Sequence, residues 1–289
     1  MISLFDAADA RLALTYNSLT LNNPADAVDD SIEVNDWAIR QTIDFVQDAN
    51  QNTDGLEAYD PRKQGTLLVL AGRALAPTQA KLMDRLKLMA STFDPVLVNR
   101  NNPSVNGFIP LDFSTLTNDT GNYATGKVPA RYYARPRVSL ALTSPQGKNA
   151  MLWRAELLLR DSRRYLQSTS SANLTANTTN SVSNALADYP SWPTFTFTAT
   201  GAGPSNVTLA KGSLLSSTPQ IVLDLSGLIN TDVVVVDMEK RTIVKNSIPA
   251  MNIYVSGSFF DLSPGNNNIT TNSLTNLTVS VAWRPAFSL

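Results

Sequence analysis

A mainly β fold in two domains, with one helix, is predicted from three observations. The 289 residues include 26 Asn, 27 Ser and 28 Thr. Thr favours strands, while Asn and Ser favour turns. Sixteen Pro and thirteen Gly cut the chain into short runs, the pattern of short strands joined by turns. Only one segment carries a firm helical stripe. The length suits two domains, each large enough to bury its own core.

Thr66-Leu-Leu-Val-Leu-Ala-Gly72 reads as a buried strand. The helix follows over Pro77–Phe93, with Leu82, Leu86, Met89 and Phe93 at i, i+4, i+7 and i+11 on one apolar face. Pro77 or Thr78 suits its start and Asp94-Pro95 stops it. Residues 148–166 are rich in helix formers, yet Leu157-Leu-Leu159 also reads as a buried strand, and periodicity leaves both open. Residues 168–184 are Ser/Thr/Asn-rich and read as an exposed loop with at most one weak strand. The domains are set at 1–165 and 166–289. Thr194–Thr200 alternates with period two, as a half-buried strand does. Ile221–Leu225, Asp232–Met238, Thr242–Lys245 and Leu277–Trp283 continue the series. A hairpin turns over Glu239-Lys240-Arg241.

The composition excludes whole classes of chemistry. Cys and His are both absent, so there is no disulfide framework, no Cys/His zinc or haem site, and no Ser-His-Asp or Cys-His machinery. Gly201-Ala-Gly-Pro-Ser lacks the Lys and helix start of a nucleotide loop. A glycosidase needs only two carboxylates, but no pair is marked by context. Asp26–Asp30 and Asp44–Asp60 lack EF-hand spacing for Ca²⁺. No catalysis, cofactor or metal is expected. The apolar runs 66–72 and 233–236 are too short to span a bilayer, and Met1-Ile-Ser-Leu-Phe-Asp shows no basic n-region, so no membrane partner is expected.

Net charge is −1, which argues against bulk nucleic-acid binding. The distribution is uneven. Residues 1–60 hold twelve Asp/Glu and two Lys/Arg, whereas 61–165 hold six and sixteen. Solvated loops account for this in the plain reading. In the sharper one, an acidic surface of one subunit meets a basic surface of the next, which suits a head-to-tail ring. Trp37, Trp153, Trp192 and Trp283 read as packing anchors, with Trp192 the best candidate for an exposed sugar-stacking platform.

The last hundred residues hold Tyr189-Pro-Ser-Trp-Pro193, the hairpin 237–246 with an Asp before and an Asn after, and Phe259-Phe-Asp-Leu-Ser-Pro-Gly-Asn266. They end in the strand Trp283-Arg-Pro285. This succession resembles the C-terminal domain of the distal tail proteins of long-tailed (siphovirus) bacteriophages. Upstream, Arg62–Gly72 with its helix resembles the family's strand, turn and helix, and Glu156–Tyr165 resembles the segment joining the two domains, which tips 148–166 toward strand. Two departures stand out: the acidic first sixty residues match poorly, and the Gly usual after the hairpin's Asn is Ser247.

The resemblance implies an N-terminal small β-barrel or split barrel with one helix, and a C-terminal galectin-like β-sandwich. It implies a homohexameric ring joining the tail tube protein to the tail hub and to receptor-binding or tail fibre proteins, with DNA only in transit through its channel. The place would be the virion tail tip, assembled in the host cytoplasm, where lack of Cys is no handicap. The sugar site of galectins uses a His that this chain lacks. Phe259, Phe260, Pro264, Gly265, Asn266 and Trp283 are expected to maintain the fold. Acidic walls repel phosphate, so Asp26, Asp29, Asp30 and Glu33 are expected to line the lumen or to meet a neighbour's basic stretch, including Arg131, Arg135 and Arg137. The alternative reading is a carbohydrate-binding or adhesion module on a β-sandwich.

Overall fold

A computed structural model describes residues 13–23, 25–27, 29–48, 57–116, 127–160, 163–214 and 218–287, without the side chains of 39–65, 114–116 and 127–128. The Asp44–Asp60 side chains therefore lie outside the described residues. The chain divides into two compact units, 1–164 and 165–288.

The first unit contains β1 (Leu14–Tyr16), β2 (Leu19–Leu21), β3 (Ile32–Asp48), β4 (Glu57–Leu75), α1 (Gln79–Thr92), α2 (Pro95–Asn101), β5 (Ile109–Leu116), β6 (Lys127–Pro136), β7 (Ala141–Pro145) and β8 (Ala150–Leu159). Its sheet runs β2-β1-β5-β6-β8-β4-β3, with β7 also paired to β8. The sheet bends back on itself. Asn22, just after β2, donates its N–H to the Ile32 carbonyl at 2.8 Å, and its side-chain Oδ1 accepts from the Val34 N–H at 2.7 Å. Trp37 of β3 then meets Phe113 of β5 edge-on at 5.1 Å. The result is the split barrel that the resemblance implied.

Helix α1 fills the barrel's open side with the expected stripe. Leu82, Leu86 and Met89 are buried, and Phe93 stacks between Tyr16 and Trp153 at 5.6 and 6.2 Å. Tyr16 donates its hydroxyl to the Ala134 carbonyl at 3.2 Å, and burial pushes its pKa up. The sequence suggested one helix, and a second short one is present. Asp94 not only ends α1 but accepts the Val96 and Leu97 N–H groups, and Pro95 sits in the first turn of α2, where its missing N–H costs nothing.

Within 148–166, Ala150–Leu159 and Arg164–Leu166 form strands. β8 pairs with β4 from Leu75↔Ala150 to Leu67↔Leu158, and Trp153, Ala155, Leu157 and Leu159 alternate inward. Helix formers give way here because tertiary pairing on both sides overrides a weak propensity. Gly72 is required by close approach: a Cβ there would stand 1.8 Å from the Glu33 carbonyl oxygen of β3.

The second unit opens with β9 (Arg164–Leu166), β10 (Ser170–Leu174), β11 (Thr179–Asn184), β12 (Thr194–Ala199), β13 (Val207–Lys211) and β14 (Gln220–Leu223). It continues with β15 (Val233–Asp237), β16 (Thr242–Lys245), β17 (Ile248–Pro249), β18 (Tyr254–Gly257), β19 (Gly265–Thr271), β20 (Leu277–Trp283) and β21 (Ala286–Phe287). Two sheets, β10-β20-β12-β15-β16-β17 and β11-β19-β13-β14-β18, form a sandwich. Phe195, Phe197, Val234, Val236, Val279 and Val281 face Val182, Leu209, Ile221, Leu223 and Ile269 across one core. The period-two reading of 194–200 holds, with Phe inward and Thr outward.

The loop expected over 168–184 is corrected: it forms two strands, β10 and β11. Each is the last strand of its sheet, so each needs few inward apolar groups. Leu174 and Val182 suffice. The polar composition that suggested a loop is the outer side of two edge strands.

Candidate assembly interface

A chain read as a ring former should show an unfinished edge and charges able to meet a neighbour. The edge is β3. It has 17 residues, about 55 Å at the usual rise per residue, and it is the last strand of its sheet. β8 covers β4 only over Leu67–Leu75. From Leu67 outward, β3 and β4 continue as a two-stranded ribbon as far as Asp48↔Glu57. Such a ribbon is marginal in water without a third strand or a packed face. Its pairing shifts register at Val34/Asp36, Arg40/Thr42 and Phe45/Gln47, and bulges of this kind increase local twist.

The charged residues singled out from the sequence are placed as follows. Asp30 lies 2.6 Å from the Arg85 guanidinium of α1, which also reaches Asp26 at 4.0 Å. Glu33 pairs with Arg73 of β4 at 3.0 Å. Asp29 is exposed. Arg131 grips Asp112 of β5 through two parallel bonds of 2.6 and 2.8 Å, and this partner raises the pKa of Arg131. Arg135 lies over the Phe108 ring at 4.8 Å and donates to the Asn106 carbonyl. Arg137 and Arg154 both approach Glu156, at 3.7 and 2.8 Å. Asp26, Asp29, Asp30 and Glu33 are therefore not brought together with Arg131, Arg135 and Arg137 of the basic 127–164 stretch within the chain. All but Asp29 meet nearer partners. No group of three or more Asp or Glu suited to a metal occurs among the described residues.

In the second unit the fold motifs take definite places. Phe260 is buried and meets Phe195 edge-on at 5.9 Å, while Phe259 is half-buried and stacks on Tyr254 at 6.0 Å. Pro264 and Gly265 make the turn into β19, with Gly265 at φ +85°, a conformation that suits glycine. Asn266 pairs with Ser183 and is exposed, and Trp283 is buried at the end of β20. Trp192 is half-buried against the same core rather than displayed. The hairpin of 237–246 turns on Asp237, whose carboxylate accepts the Glu239 and Lys240 N–H groups at 3.0 and 2.9 Å. The departure at Ser247 is accommodated: Asn246 and Ser247 take φ 48° and 68° and join β16 to β17 in a two-residue turn.

Sequence reasoning missed three polar nodes. Asn184 is buried and donates to Ser191 Oγ at 3.1 Å and to the Leu262 and Ser263 carbonyls at 3.3 Å. Ser191 Oγ accepts the Ala286 N–H at 3.0 Å, so one pair ties four segments. Asn267 closes the Pro-Gly turn by accepting from the Ser263 N–H at 2.8 Å. Asp232 accepts from the Ile229 N–H, Lys245 Nζ and Asn246 Nδ2, and these bonds hold its pKa down at about 2. In a chain with 26 Asn, nothing in composition marks these few.

Residues 186–287 match the model of the siphovirus-type tail component, C-terminal domain. The match lies within the C-terminal unit and covers most of it. Both motifs that carried the sequence resemblance, 237–246 and 259–266, lie inside the matched tail component domain. No curated protein matches the chain. Among solved structures, SPP1 Dit (gp 19.1), described as a paradigm of the hub adsorption apparatus in Gram-positive-infecting phages, overlays at a TM-score of 0.61. The identity is 14 %, with 96 % of this chain and 99 % of that one covered. At that identity the likeness is one of fold, and it extends beyond the tail component domain to nearly the whole chain. Two structures of the phage p2 baseplate in its activated conformation, with Ca and with Sr, give a TM-score of 0.39 at 8 % identity. They cover 95 % and 94 % of this chain and 97 % of each of theirs, a likeness too slight to build on.

Proposed function

We propose that this protein is a distal tail structural protein of a siphovirus, a baseplate hub component that closes into a homohexameric ring with a channel for DNA. The observation that carries the reading is the open β3 edge together with the ribbon extending from it. Beyond Val34, where Asn22 closes the barrel, the β3 edge carries no further paired strand among the described residues, and such an edge is a template for pairing with another chain. A second copy placed head to tail would supply what the edge lacks, and repetition closes a ring when the rotation allows. The tail component domain supports the tail context. In this reading the ring joins the tail tube protein to the tail hub, carries receptor-binding or fibre proteins, and is assembled in the host cytoplasm. It requires no catalytic group.

The charges fit an assembly of this kind. Asp29 and Arg137 stand out as the most solvent-facing of the expected lumen or contact residues, and the partly exposed Arg137–Glu156 pair can exchange partners readily. Acidic groups such as Asp26, Asp29, Asp30 and Glu33, set toward the lumen, would keep a channel from binding the DNA that passes through it.

Light scattering behind size exclusion, with negative-stain images of the peak, tests the ring. About six times the 31.3 kDa chain mass with six-fold views is expected. A monomer that stays monomeric when mixed with the cognate tail tube protein would sink the proposal.

A further inference from the structure

The outer face of the sandwich carries a groove of about 580 Å³ over β10, β20 and β12, within the usual size of ligand sites. Alternation builds its floor: with Phe195, Phe197, Val279 and Val281 in the core, Thr196, Thr198, Thr278 and Ser280 face out. Register then sets them in rows. Ser280 stands opposite Asn173 on one side and Thr196 on the other, and Thr278 stands opposite Thr198. Adjacent strands are about 4.7–4.9 Å apart and same-face residues about 7 Å apart. The floor is thus a lattice of hydroxyl and amide groups able to donate and accept hydrogen bonds across about 5–7 Å.

Three further features bear on what would bind. The side chains of Asn173, Thr196 and Ser280 have no hydrogen-bond partner among the described residues. The rims are held by side-chain bonds. Asn180 accepts from the Thr175 N–H at 2.7 Å and donates to the Thr175 carbonyl at 2.9 Å, while Asn276 donates to the Ala202 carbonyl at 3.0 Å. A site fixed in advance loses less on binding. Finally, no charged and no aromatic residue lines the groove. An ionic ligand would find no counter-charge, and a protein partner would find none of the aromatic or Arg anchors on which interfaces concentrate their energy.

We infer that this groove binds a neutral oligosaccharide, with Asn173, Thr196 and Ser280 hydrogen-bonding its hydroxyls and Leu274 giving an aliphatic contact at one end. The site uses a different set of residues from the aromatic platform suggested by Trp192, and it stands whether or not the ring forms.

Saturation-transfer NMR on the full chain, with neutral cello-, chito- and malto-tetraose as probes, tests it. Transfer to at least one sugar is expected. The double variant T196V/S280A should weaken that binding about tenfold or more as paired donors and acceptors are lost, with an unchanged melting temperature. N173A, on the edge strand, should weaken it less and serves if the double variant misfolds. T194V, on the same face but outside the groove, should leave binding as it was. No transfer with any of the three sugars would overturn the inference. So would full binding by a folded T196V/S280A, or protein density filling the groove in a map of the assembled tail tip.

Discussion

On the outer wall of the N-terminal unit, polar side chains meet one another: Arg131 with Asp112, Arg73 with Glu33, Arg154 with Glu156. In the C-terminal unit several of them also bind backbone. Asn184, Asn267, Asp232 and Asp237 each bind main-chain groups of a turn or a neighbouring segment. The energetics differ accordingly. A partly exposed ion pair contributes little net stability and exchanges partners readily, whereas a buried amide whose partner is removed leaves unsatisfied groups behind. The first arrangement suits a surface that must still adapt to another copy. The second suits a sandwich whose many turns are fixed within one chain.

Three substitutions probe this contrast, in order of expected effect. Trp153→Ala should destabilise by about 3–5 kcal/mol, the range for emptying a large aromatic site, because Trp153 is buried beside Phe93 in the barrel core. Calorimetry should show the loss in one of two transitions. A single transition shifted as a whole would mean that the units do not unfold separately. Next, Asn184→Ala should cost about 1–3 kcal/mol, and Asp112→Asn about 1 kcal/mol or less after solvent screening. Denaturant titration of both variants compares them directly, and equal losses would remove the distinction drawn between the units.

A further test of the backbone-bound side concerns pH. Asp232 has its folded pKa lowered to about 2, below the unfolded value of about 3.9. The stability it contributes is therefore complete above about pH 4 and is lost as pH falls through about 2. Melting curves of Asp232→Asn and the parent chain should differ at pH 6 and converge near pH 2. A constant difference across that range would show that the carboxylate's charge is not what matters.

Much of the fold was legible because it rests on patterns with a fixed period. The stripe of Leu82, Leu86, Met89 and Phe93 and the alternation of Thr194–Thr200 each have one physical reading, and both were found as read. Residues 168–184 were misread because edge strands need only Leu174 and Val182 to hold them, which is too little to register as a pattern. The second helix was hidden because Asp-Pro ends one helix and starts another with the same residues. The Asn184–Ser191 node was illegible for a different reason. Its partners lie at 262, 263 and 286, and only the folded chain brings those carbonyl and amide groups together.

The extra residue in β3 has an evolutionary consequence. Val34 pairs with Gly72 and Asp36 with Ala71, which leaves Asn35 without an opposite number. Val34 and Trp37 both face the core, while Asn35 and Asp36 are exposed. Losing Asn35 would leave Val34, Asp36 and Trp37 in plain in–out–in order, with both core residues still inside. At this point the length of the strand can drift among relatives while its inward residues stay in place, so a one-residue gap in an alignment here signals no change of fold.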